Sequence, residues 1–321
     1  MTISYKDVIM ARERIDKYIY KTSLDKSIYL SDEDTNIYLK LENQQGMKCA
    51  KLRGALSKLT SLSPQDIEKG VVAISSGNHG AALSYASNLL GIKNVTVYVP
   101  KTTPKSKVEK IKYFGANVVG VGENYDEAHE IGLELIKDKG SIFVDPCSDE
   151  EVIAGQGTIG LEILEQQPSI DTILVPIGGG GIITGISIAA KHMKPGIKVI
   201  GLQTAACPAM VQSLKDNIFY ETFPTEPSIC DALVGGIGYI PYKMADECID
   251  DIIVVDEEAI GKAVSFLMKK EKIISEPAGA IGIAAIRRNY SMCKGKNVAV
   301  VITGGNIDED LMINLLNKYT N

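Results

Sequence analysis

Along this chain, short apolar runs rich in β-branched residues alternate with stretches whose apolar positions recur every three or four residues. The runs fall at Val71–Ile74, Val95–Val99, 118–121, 142–144, 173–177, 199–202, 252–255 and 298–302. Unbroken apolar runs of this length suit strands buried on both faces of a parallel sheet. Residues 36–42, NIYLKLE, alternate instead and predict a strand of a different pattern. Between the runs, Val8, Ala11, Ile15 and Tyr18 mark one amphipathic helix. Val108/Ile111/Phe114 and Ala128/Ile131/Leu135 mark two more. The stretch 203–245 is the least regular and predicts long loops. The whole reads as an α/β protein with open twisted sheets covered by helices.

Polar clusters sit where several of these runs end, the place where open α/β sheets gather ligands. In VPIGGGGIITGIS, a strand runs into Gly178, Gly179, Gly180 and Gly181 and then into a helical pattern. Glycines let successive N–H groups turn toward one point, and a helix N-terminus adds positive potential, so the turn suits a phosphate. A plain tight turn needs fewer glycines. A dinucleotide fingerprint fails, because its third glycine would fall on Ile183 or Thr184, and this disfavours a nicotinamide dehydrogenase. In VVAISSGNHG, the strand ends in Ser75, Ser76, Gly77, Asn78 and His79, more polar groups than a helix cap requires. VAVVITGGNID ends in Thr303 and an amide, and Glu276 precedes Pro277 at a helix start, where an acid is ordinary. In KCAKLRGA, Lys51 is followed by the apolar face Leu52, Ala55, Leu56 and Leu59, which sets it near the buried side of a helix start. Lys48 precedes that face, and Lys58 is free to be solvated.

Composition narrows the function. The chain has 321 residues, enough for about two domains. A net charge of −6 argues against a nucleic-acid partner. No apolar run approaches the roughly 18–20 residues of a membrane span. Six cysteines lie scattered without a CxxC pair, which argues against zinc and for free thiols in a reducing cytoplasm.

Taken in order, the lysine segment, SSGNHG, AGQGTIGLEI, VPIGGGGIITGI, EPAGA and TGGN resemble the fold-type-II pyridoxal-phosphate (PLP) enzymes of tryptophan synthase β-like architecture. Within them the likeness is to the serine/threonine dehydratase (threonine ammonia-lyase) and serine racemase family. Its lysine segment, E-N-x-x-x-x-G-S-F-K-x-R-G-A, maps without gaps from Glu42 to Ala55. The resemblance implies that Lys51 is the Schiff-base lysine and the catalytic base. It also implies that the glycines at 178–181 hold the phosphate, Asn78 the ring hydroxyl and Thr303 the pyridine nitrogen. Ser75, Ser76, Asn78 and His79 would line the substrate carboxylate, and Ser76 would be the second acid/base of a racemase. His79 receives no catalytic role.

Three departures stand out: Met47 and Lys48 replace threonine and glycine, Cys49-Ala50 replaces Ser-Phe, and Gln203 and Ala209 replace the carboxylates of the family's metal-binding members. The last implies no metal site. Cys49 reads as a packed thiol rather than a nucleophile. The implied activity is threonine/serine dehydration, with serine racemisation or 3-hydroxyaspartate elimination as alternatives and a non-catalytic PLP binder outside the class. The implied architecture is a large domain, 1–68 and 149–321, with a small inserted domain, 69–148, in a homodimer.

Overall fold

A computed structural model describes residues 3–288 and 296–319, without the side chains of residues 125 and 126. Ten strands appear among them: β1 Leu24–Lys26, β2 Asn36–Lys40, β3 Val71–Ile74, β4 Val95–Val99, β5 Asn117–Gly120, β6 Ile142–Phe143, β7 Thr172–Pro176, β8 Lys198–Thr204, β9 Asp251–Val255 and β10 Asn297–Val301. They form a six-stranded sheet, β1-β2-β10-β7-β8-β9, and a four-stranded sheet, β5-β4-β3-β6. All pairings are parallel except β1 against β2, where Leu24 faces Lys40.

Helices cover both faces of the larger sheet, as its continuous apolar strands require. On one face Leu174, Leu202 and Val300 pack with Ile260 and Val264 of helix Glu257–Phe266 and with Ile281 and Ile283 of helix Pro277–Arg287. On the other, Ile173, Val175, Val199 and Val301 meet Ile159 and Ile163 of helix Glu150–Gln166 and Ile183 and Ile186 of helix Gly181–Met193. In the smaller sheet, Val71, Ala73, Val95 and Val97 pack on Ala82, Leu83 and Ala86 of helix Asn78–Leu89. Val72, Ile74 and Tyr98 pack with Ile136 on the opposite face.

Helix Lys51–Ser61 belongs to both neighbourhoods. Leu52, Leu56 and Leu59 enter the core of the smaller sheet. Its other side meets helix Glu150–Gln166 so closely that a Cβ on Gly54 would lie 2.7 Å from a Val152 methyl, and one on Gly155 would lie 2.6 Å from the Arg53 carbonyl oxygen. The segment between residues 203 and 245 contains helices Ala209–Asp216 and Tyr239–Lys243, with largely irregular chain between them apart from a 3-10 turn at Asp231–Leu233. Five of the six cysteines, Cys49, Cys147, Cys207, Cys230 and Cys248, are free thiols, and Cys293 lies outside the described residues.

Candidate active site

The carboxyl ends of β3, β7 and β10 deliver the three polar clusters, and the lysine segment is fastened to the last of them. The N–H of Ala50 donates to the Thr303 carbonyl at 2.9 Å, Gly305 donates to the Lys48 carbonyl at 2.9 Å, and Cys49 and Gly304 form an isolated bridge. To make this join, Met47 and Lys48 both adopt left-handed backbone, with φ of 61° and 56°. Side chains disfavour that region by roughly 1–2 kcal/mol per residue, and glycine, the family's usual residue at 48, suits it. The Lys51 side chain is half-buried, and Nζ donates to the Pro146 carbonyl at 3.4 Å. The other two lysines have plainer settings: Lys48 is exposed, and Lys58 pairs with Asp149 at 2.7 Å.

The four-glycine turn closes on the same place. A Cβ on Gly181 would lie 3.2 Å from the Pro146 carbonyl oxygen, and one on Gly179 would lie 2.1 Å from Cys147 Sγ. Gly180 has φ of 93°, which a side chain would strain. Burial pushes the Cys147 thiol up, while the Lys51 charge and the N–H groups of Gly181 and Gly179 favour its thiolate. The turn lies at the N-terminus of helix Gly181–Met193, whose positive end favours an anion.

At the end of β3, the Ser75 N–H donates to the Tyr98 carbonyl at 3.0 Å, and Ser75 Oγ accepts from Gly77 N–H at 3.3 Å. Ser75 and Ser76 are half-buried. Gly80 is needed here, because a Cβ would stand 2.2 Å from the Ser75 carbonyl oxygen. His79 is buried, with Nε2 2.7 Å from the Val144 carbonyl. A carbonyl only accepts, so Nε2 carries the proton and Nδ1 presents a lone pair, which has no partner among the described residues. Burial, aided by the Lys51 charge, brings the His79 pKa down to about 4, so the ring is neutral.

Asn78 begins helix Asn78–Leu89, and its Nδ2 donates to both carboxylate oxygens of Glu276, at 2.8 and 3.0 Å. Asn306 Nδ2 donates to Asn78 Oδ1 at 2.7 Å. Glu276 does precede a helix, yet its carboxylate caps none of that helix's N–H groups. It is buried, and burial lifts its pKa to about 7. Burial, with Glu276 nearby, pushes Cys49 up to about 12, which makes it a neutral packed thiol. Thr303 is buried at the end of β10. Gln203 is buried too, and its Oε1 accepts from the Val211 N–H at 3.0 Å.

Pattern reasoning missed the foundation of the lysine helix. Arg53 is fully buried, and its guanidinium grips Glu42 at 2.7 and 2.8 Å and Glu162 at 2.7 and 2.9 Å. Lys40, buried as well, donates to Glu162 at 2.5 Å. Bidentate arginine–carboxylate pairs fix geometry as well as charge, so the helix that starts at Lys51 is held in place two residues along.

A family model for pyridoxal-phosphate-dependent enzymes matches residues 15–304. The chain belongs to this family. It is 41% identical over 280 residues to the L-threonine ammonia-lyase of Thermotoga maritima, covering 87% of this chain and 69% of that one. It is 38% identical over 313 residues to the catabolic L-threonine dehydratase TdcB of Escherichia coli K12, covering 96% and 94%. Among solved structures, maize serine racemase superposes with a TM-score of 0.90 at 30% identity, covering 100% of this chain and 98% of that one. Processed threonine deaminase isoform 2 of Solanum lycopersicum also gives 0.90, at 29% identity, covering 98% and 92%. This is the fold-type-II architecture. The residues present fit PLP: four consecutive glycines at a helix N-terminus, where backbone N–H groups suit a phosphate, and a lysine nitrogen on the Pro146 carbonyl that packs against that turn.

Proposed function

We propose that this PLP-dependent enzyme is a threonine/serine ammonia-lyase that eliminates water from a β-hydroxy amino acid to give a 2-oxo acid and ammonia. The observation that carries this reading is the junction at Pro146, where Lys51 and the glycine turn meet one carbonyl oxygen.

The N–H groups at Gly178, Gly179, Gly180 and Gly181 would bind the cofactor phosphate. Asn78 would orient the ring through its hydroxyl. Ser75, Ser76, Asn78 and His79 would line the loop that receives the substrate carboxylate, with His79 offering it no donor because its Nε2–H faces the Val144 carbonyl. When bound, PLP supplies the electron sink for the carbanion at the substrate Cα. Lys51 Nζ takes the Cα proton as general base. Thr303 would face the pyridine nitrogen with a neutral hydroxyl, which withdraws electrons less than a charged partner and favours elimination over transamination. The β-hydroxyl leaves as water, taking up one proton in balance with the Cα proton removed, and the enamine left behind consumes one water on hydrolysis and frees ammonia.

Serine racemisation is the second reading, in which the half-buried Ser76 would be the second acid/base. Lys48 and the small Ala50 would suit 3-hydroxyaspartate, a larger and more anionic substrate. The chain would act as a cytoplasmic homodimer, with a large domain of 1–68 and 149–321 and a small domain of 69–148. One panel of hydroxy amino acids, assayed together for 2-oxo acid, ammonia and enantiomer, tests all three reactions. Ammonia from threonine supports the first. Inverted serine without ammonia supports the second, and faster turnover of 3-hydroxyaspartate the third. No product from any, with cofactor bound, leaves a non-catalytic binder.

A further inference from the structure

Four side chains form one hydrogen-bonded line between the two sheets. Lys110 Nζ donates to Asn306 Oδ1 at 2.6 Å. Asn306 Nδ2 donates to Asn78 Oδ1 at 2.7 Å and to the Met47 carbonyl at 2.9 Å. Asn78 Nδ2 donates to Glu276 at 2.8 Å. Every bond runs the same way, from Lys110 toward Glu276, and the outer end enforces that direction: an ammonium only donates, and the Met47 carbonyl that also takes Asn306 Nδ2 only accepts. Each amide between them therefore has one orientation.

The line also alternates between the two halves of the fold. Lys110 and Asn78 lie on helices Lys105–Tyr113 and Asn78–Leu89, whose Ile111 and Ala82 pack in the core of the smaller sheet. Asn306 follows β10, and Glu276 precedes helix Pro277–Arg287 of the larger sheet. All three bonds thus join one half to the other, and two of them meet at Asn78.

We propose that Lys110 is a positioning residue for the cofactor: it anchors the outer end of this line and so holds the Asn78 amide against the ring. The inference rests on the proposed role of Asn78 as ring contact. Lys110 touches neither substrate nor cofactor and acts through Asn306. A charge-assisted bond at its end polarises the amides behind it. Its positive charge also lies within range of the Glu276 carboxylate that terminates the line. Lys107, on the same helix, makes a different contact, an exposed pair with Asp231 at 3.0 Å, and stands outside the line.

The test titrates PLP into the cofactor-free full-length protein, following the absorbance band, for Lys110→Met, Lys110→Arg, Lys107→Met, Asn306→Ala and Asn78→Ala. Lys110→Met is expected to weaken PLP binding about tenfold, the scale of one charge-assisted hydrogen bond, with the thermal midpoint of the cofactor-free protein unmoved. Lys110→Arg should recover most of the affinity, and Lys107→Met should match the parent protein. Lys110→Met combined with Asn306→Ala should be no weaker than Asn306→Ala alone, since both break one line. Unchanged affinity in Lys110→Met, or additive losses in the double variant, overturns the inference while leaving Asn78 in its role. Unchanged affinity in Asn78→Ala overturns that role and this inference with it.

Discussion

The side-chain nitrogen of Lys51 stands 3.4 Å from the carbonyl oxygen of Pro146, and the same oxygen lies 3.2 Å from where a Cβ on Gly181 would sit. One backbone carbonyl therefore separates the amine from the four-glycine turn. Lys51→Ala should abolish the near-visible absorbance band of the holoenzyme and lower threonine turnover by roughly 10²–10⁴-fold, the usual worth of a positioned general base. Lys51→Arg should be equally inactive, since charge alone does not replace the amine. Ammonia release and absorbance spectra, with far-ultraviolet circular dichroism to confirm folding, check both.

Gly179 admits no side chain while Cys147 stays in place. Gly179→Ala would put a methyl 2.1 Å from Sγ and 2.9 Å from the Cys147 Cβ. The turn must then shift, and PLP affinity should fall roughly tenfold or more. Adding Cys147→Ala removes the sulfur and should return part of the loss. Cofactor titration of the single and double variants measures this coupling, and wild-type affinity in Gly179→Ala would count against this turn as the phosphate site.

Arg53 should govern stability more than any surface charge. Arg53→Met strands the buried Glu42 carboxylate and leaves the buried Glu162 with Lys40 as its remaining cation. Breaking a buried pair from one side costs about 3–5 kcal/mol. Urea unfolding curves should show this loss, and Arg53→Lys should restore only a fraction because it cannot grip both carboxylates in fork geometry.

Two buried groups give stability opposite dependences on pH. Burial raises Glu276 from its ordinary 4.5 to about 7. Between those values the folded chain holds a proton that the unfolded chain has lost, so stability falls as pH rises through the window. His79 is lowered from 6.5 to about 4, again first by burial, and its contribution is present above 6.5 and lost as pH falls toward 4. The two trends oppose one another between 4.5 and 6.5. Glu276→Gln should abolish the first alone and leave a stability curve that rises through this range. Denaturant midpoints measured every half pH unit distinguish the two proteins.

The strands were legible because parallel, doubly covered strands are continuous apolar runs, and β3 and β4 begin and end where their runs do. β1 was not, since Leu24–Lys26 is a three-residue edge strand with one apolar residue. Lys51 could be placed at a helix start because the apolar face of Leu52, Leu56 and Leu59 begins just after it. The ion cluster left no local signal, because Arg53 meets Glu162 across 109 residues. Glu276 misled for a related reason. An acid beside a helix start has an ordinary local explanation, and only the tertiary fold brings Asn78 across 198 residues to its carboxylate.

The Arg53 cluster works as a buckle. All four strands of the smaller sheet, from Val71 to Phe143, lie in the stretch of chain that leaves Arg53 and returns at Glu162. Both ends of that stretch are tied at one fixed point, away from its turns. Doubling the length of such a closed loop costs only about 0.6 kcal/mol. Descendants of this sequence are therefore free to lengthen or recast the turns of the smaller sheet while the footing of the helix that starts at Lys51 stays as it is.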